Sequence, residues 1–95
     1  MLPALIESFF KDAVKLQDEA QQAFEARQTE ELRRTAHTLK SLSKNFGATA
    51  LAELCQTLET RAKDGVFEGA EDLLTRTAAE YEKVLNTLEK LRENL

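Results

Sequence analysis

Apolar positions recur every three or four residues along the chain, and no strand-like alternation lasts beyond a few residues, so the dominant period is helical. A short first helix is expected to open at Pro3, whose missing N–H needs no partner in a first turn. Asp12 is a candidate cap for a second helix reaching about Arg27, with Phe9, Leu16, Ala20, Ala23 and Phe24 as its apolar stripe. Neither glycine nor proline forces a break between these segments, so one bent helix and two helices both fit the pattern. Thr29 reads as the next N-cap, followed by Glu30 and Glu31, whose charge suits the positive end of a helix dipole. This third helix should run to Asn45 or Phe46 and stop at Gly47, where a left-handed cap residue is wanted. Thr49 can cap a fourth helix carrying Leu51, Leu54, Cys55, Leu58 and Ala62, with its end at Asp64-Gly65. After Gly69 a last long helix presents Leu74, Ala78, Tyr81, Leu85, Leu88 and Leu91.

Long amphipathic helices joined by short connections predict an all-α fold: an antiparallel up-down-up-down four-helix bundle with a short additional N-terminal helix. The 95 residues make one domain spanning 1–95, with no room for a nucleotide-binding domain beside it. Cys55 is the only cysteine, which excludes an intramolecular disulfide and a thiolate metal cluster and favours a reducing, cytoplasmic setting. The most apolar stretch, Leu2 to Phe10, is interrupted by Pro3 and Glu7, so no membrane insertion is expected. The complete four-helix pattern needs no second chain, and a monomer is expected.

A net charge of −4 argues against nucleic acid as a partner, but the charge is uneven. Between Arg27 and Lys44 stand five basic and two acidic residues, a local charge of +3. On a helical wheel with His37 at zero, Leu32, Leu39, Ser43 and Phe46 fall at about 180° to 240° and Ala36 at about 260°. These make the buried face, and His37, the single histidine, points away from it. Arg33, Lys40, Ser41 and Lys44 lie within about 60° of His37, with Arg34 at the margin. Neutral imidazole is a good nucleophile, and neighbouring cations disfavour a second positive charge on the ring. A positive collar also favours an incoming phosphoryl group. The same geometry suits an ordinary solvated helix face, so the wheel permits this chemistry without selecting it.

The run Ala36-His37-Thr38-Leu39-Lys40-Ser41-Leu42-Ser43-Lys44-Asn45-Phe46-Gly47-Ala48 resembles the signature of histidine-containing phosphotransfer (HPt) domains, approximately H-x-L-K-G-x-[SA]-x-x-[LFIV]-G-A. The upstream apolar helix ending near Phe24 and the downstream Leu51, Leu54-Cys55 and Leu58-Glu59 pattern also look like that family. The resemblance implies that His37 is the phosphorylated histidine, reacting through Nε2, and that Lys40 steadies the phosphoryl group. Gly47 matches the turn glycine and Ser43 the small packing residue, whereas Ser41 stands where glycine is common. It further implies a relay between receiver-domain aspartates of a two-component phosphorelay, without autonomous kinase activity. The expected partner is a receiver domain of a response regulator or hybrid histidine kinase. No cofactor is expected in this chain; Mg²⁺ belongs to the partner receiver. Arg33, Arg34, Ser41 and Lys44 would meet that partner, with Val14, off the main stripe of its helix, as a further candidate.

Two other classes compete. The dimerisation domain of an autophosphorylating kinase typically has an acidic residue directly after its histidine and a proline four residues beyond; Thr38 and Leu42 stand there instead. A non-catalytic helical adaptor would bind a signalling partner with no use for His37. A metal site is disfavoured because a single histidine has no second nitrogen or sulfur ligand at helical spacing.

Overall fold

No glycine, and no proline beyond the first turn, interrupts the N-terminal segments, and they join into one helix, α1 (Leu2–Glu25). The expected short N-terminal helix is therefore the opening of α1 rather than a separate element. Asp12 lies inside that helix and caps nothing. In this computed structural model, which describes residues 2–93, three further helices follow: α2 (Thr29–Asn45), α3 (Thr49–Lys63) and α4 (Ala70–Glu93). Each helix packs on its neighbours in sequence and α4 closes back on α1, with no diagonal pairing among the described residues, which gives the expected antiparallel bundle.

Three helices end in the same way. At the end of α2 the Gly47 amide donates to the Lys44 carbonyl and the Ala48 amide to the Ser43 carbonyl, with Gly47 at φ +70°. This is the paired, left-handed cap that satisfies the last free carbonyls. The end of α1 repeats it through Arg27 to Phe24 and Gln28 to Ala23, but with Arg27 at φ +56°. A side chain in that conformation costs roughly 1–2 kcal/mol. Here the Arg27 guanidinium lies 4.9 Å from the Phe24 ring centre and 5.0 Å from that of Phe67, over both rings of a tilted aromatic pair, and these cation–π contacts offset the strain. The expected N-caps move by one residue. Gln28 and Ala48 hold those positions without side-chain hydrogen bonds, and Thr29 and Thr49 are the first helical residues.

The stripes build a core in two clusters. One gathers Ala20, Ala23, Leu32, Ala36, Leu58, Ala62, Ala70, Leu73 and Leu74. The other gathers Phe9, Ala13, Leu39, Leu51, Cys55 and Tyr81, with the Phe9 ring 4.5 Å from that of Phe46. Along α4 the buried position is Thr77, not Ala78: its hydroxyl donates to the Leu73 carbonyl at 2.7 Å, so it enters the core without an unsatisfied polar group. The side chains of Leu88 and Leu91, expected on the same stripe, lie outside the described residues. Among the described residues no helix is long and apolar enough to cross a membrane.

Candidate functional site

The two clusters meet under the middle of α2, where Ala36 belongs to one and Leu39 to the other. That buried edge fixes the helix in rotation and sends His37 to the opposite side, with its side chain 56% exposed. Ser43, completely buried, donates to the Leu39 carbonyl at 2.7 Å, and its small size keeps α2 close to its neighbours. Close approach and antiparallel pairing bring α3 alongside, so that two residues spaced by three on α2 face two spaced by three on α3. His37 meets Glu59, and Lys40 meets Gln56.

The His37 Nδ1 lies 2.9 Å from Glu59 Oε2. Burial alone would push the Glu59 carboxyl up, but its contacts with Lys40 and His37 outweigh this and hold it below the ordinary carboxylate range. An ionised carboxylate only accepts, so Nδ1 carries the hydrogen and donates it. In the neutral ring the lone pair is then on Nε2, the nitrogen away from Glu59.

Lys40 is largely covered, at 13% side-chain exposure. Its Nζ donates to Gln56 Oε1 at 2.9 Å and lies 2.9 Å from Glu59 Oε1 as an ion pair. The Gln56 amide donates in turn to Thr60 Oγ1 at 3.1 Å, and that hydroxyl donates to the Gln56 carbonyl. A chain of polar contacts therefore runs from Thr60 through Gln56, Lys40 and Glu59 to His37.

The rest of the expected site divides. Arg33 is held in a two-point contact by Glu30, at 3.1 and 2.9 Å, and Arg34 Nη2 by Glu31, at 2.8 and 2.6 Å. The positive collar is thus partly neutralised within its own helix, and Glu59 adds a third negative charge. Lys44 is exposed and has no ion-pair partner among the described residues. It borders a groove of about 410 Å³ together with Lys40, Gly47, Thr49, Ala52, Glu53 and Gln56. Ser41 is exposed on α2. Val14 is 52% exposed on α1 and takes no part in the network between α2 and α3.

Glu59 and Gln56 were missed as site residues because helical spacing relates positions within one helix, whereas their role depends on the register between two. The available signal was modest: an i, i+3 pair of polar residues beside the α3 stripe, matching His37 and Lys40 in spacing. Among the described residues no three His, Cys, Asp or Glu side chains converge as a metal site. Cys55 is buried, and burial pushes its thiol up to about 12, which leaves it inert as a nucleophile.

The site is thus an exposed histidine on a four-helix bundle, with one ring nitrogen held by a carboxylate and a lysine one turn away. A family model of the Hpt domain matches residues 4–94. The chain also resembles the crystal structure of histidine-containing phosphotransfer protein B from Pseudomonas aeruginosa PAO1. The TM-score is 0.95 and the identity 30%, over 98% of this chain and 81% of that one. A comparison with curated proteins gives no match. The chain belongs to the Hpt domain family, and its role is histidine phosphotransfer in phosphorelays.

Proposed function

We propose that His37 takes a phosphoryl group from the aspartyl phosphate of one receiver domain and delivers it to the aspartate of another. The observation that carries this reading is the asymmetry of the His37 ring: Nδ1 is engaged by Glu59 while more than half of the side chain is open to solvent.

In the forward step the Nε2 lone pair attacks phosphorus in line, an N–P bond forms, and the P–O bond to the donor aspartate breaks. The aspartate leaves as carboxylate with the bonding pair. No proton has to move, because Nδ1 keeps its hydrogen throughout. The ring gains positive charge as the N–P bond forms, and the Glu59 carboxylate on Nδ1 stabilises it. Delivery is the reverse: an aspartate oxygen of the second receiver attacks phosphorus, and the N–P pair returns to Nε2. Lys40 stands one turn away to neutralise phosphoryl oxygens. Mg²⁺ would be supplied by the receiver, where it would offset charge between aspartate and phosphoryl oxygens. Arg33, Arg34, Ser41 and Lys44 lie on the face the receiver would approach. Val14 would add apolar contact from α1, and the chain would act as a monomer.

The test is transfer of radiolabelled phosphate from phosphorylated receiver domains to wild type and to His37→Gln. Wild type is expected to become labelled and His37→Gln to fold, dock and remain unlabelled. Equal labelling of both overturns the assignment. Incubation of these 95 residues with Mg-ATP alone is expected to leave His37 unlabelled.

A further inference from the structure

Lys40 has three N–H donors, and its surroundings decide where they point. The Glu59 contact alone would draw the ammonium toward a carboxylate already shared with His37. Gln56 supplies a second, neutral acceptor on the same side, at 2.9 Å. An amide side chain offers either an acceptor or a donor, according to its orientation. Here the choice is made by Thr60. Its hydroxyl hydrogen is committed to the Gln56 carbonyl at 3.0 Å, so its oxygen is left to accept from Gln56 Nε2. Nε2 therefore faces Thr60 and Oε1 faces Lys40.

We propose that Gln56, oriented by Thr60, is a positioning residue for phosphotransfer: it holds the Lys40 ammonium beside Glu59 so that its third N–H is kept for the phosphoryl group on His37. The proposal rests on the phosphotransfer reading of His37. Gln56 acts only through Lys40 and touches no reacting atom. When a phosphoryl group arrives, Lys40 keeps the Gln56 hydrogen bond while its charge is shared between Glu59 and the new oxygens. A neutral holder suits this task better than a second carboxylate, which would repel the incoming group.

The experiment measures the maximal transfer rate from a phosphorylated receiver, together with receiver affinity, for wild type, Gln56→Leu, Lys40→Ala and the double variant. Gln56→Leu is expected to slow transfer roughly three- to tenfold with affinity unchanged. In the Lys40→Ala background the same change should have no further effect, because the group it positions is gone. Thr60→Val should reproduce part of the loss and Thr60→Ser restore it. Nitrogen NMR of the Lys40 ammonium gives a second readout: its protons should exchange faster in Gln56→Leu. Equal rates in wild type and Gln56→Leu, or equal losses with and without Lys40, overturn the role of Gln56 alone. Absence of transfer to wild-type His37 overturns the phosphotransfer reading and the proposal with it.

Discussion

The two halves of α2 handle their cations differently. In the first half Arg33 and Arg34 are each paired three residues back, with Glu30 and Glu31, and the contacts are exposed and local. In the second half Lys40 reaches across to α3 and is largely covered by Glu59 and Gln56. Exposed pairs within one helix are screened by water and salt and contribute little to stability. A cross-helix network under low exposure is screened less, and it fixes the position of groups on two elements at once. The motif His37–Gly47 thus differs from the basic residues upstream in where its partners come from. If phosphotransfer runs through His37, that difference would separate residues that set reaction geometry from residues that set surface charge.

Removing Glu59 breaks the comparison most severely, since it releases both His37 Nδ1 and Lys40. Glu59→Ala is expected to lower the maximal transfer rate on the order of ten- to hundredfold, because a mislaid nucleophile costs rate steeply. Rapid-quench transfer assays would measure it, and a loss under twofold would mean the carboxylate does not orient the ring. Lys40→Ala leaves the His37–Glu59 contact standing and removes only one charge near the phosphoryl oxygens. A smaller loss, about tenfold, is expected, with helicity unchanged by circular dichroism.

The half of this contrast that lies within a helix could be read from the sequence. Glu30 and Glu31 precede Arg33 and Arg34 by i+3 spacing, which places them together in any α-helix. The orientation of His37 was readable too, because Leu32, Ala36, Leu39 and Ser43 define the buried edge and all are buried. Gly47 met its left-handed cap as spacing required. What was not readable depends on tertiary register or on the balance of competing local bonds. Glu59 becomes a partner of His37 only once α2 and α3 are paired antiparallel. Thr29 and Thr49 lie one step inside their helices, because nothing in their spacing says whether a hydroxyl or solvent meets the first free amides. The burial of Thr77 in place of Ala78 turns on a hydroxyl that satisfies itself on its own helix.

Proton linkage sharpens the same comparison. The Glu59 carboxyl is depressed in the fold, so its contribution to stability is present above the ordinary carboxylate value of 4.5 and is lost as pH falls through the lower folded value. Urea unfolding midpoints measured from neutral to acidic pH should therefore fall more steeply for wild type than for Glu59→Gln in that window. Parallel curves would show that the network leaves folding unlinked to this proton.

The smallest effect is expected in the first half of α2, where a null result on stability is itself informative. Glu30 and Arg33 form their contact at the surface, and their mutual shifts in proton affinity come from a hydrogen bond that water can replace. Arg33→Ala and Arg34→Ala should leave the thermal midpoint unchanged within error. Their effect should be on encounter with an acidic receiver site, which long-range charge accelerates and salt suppresses. The association rate measured by stopped flow should fall modestly at low salt, and the difference should vanish at high salt. The rate of transfer within the complex should not change beyond error, since neither arginine forms a hydrogen bond or ion pair with His37, Lys40 or Glu59, and Arg33 is felt at Glu59 only through its charge. A change in that internal rate would join the two halves of α2 into one site and remove the distinction between them.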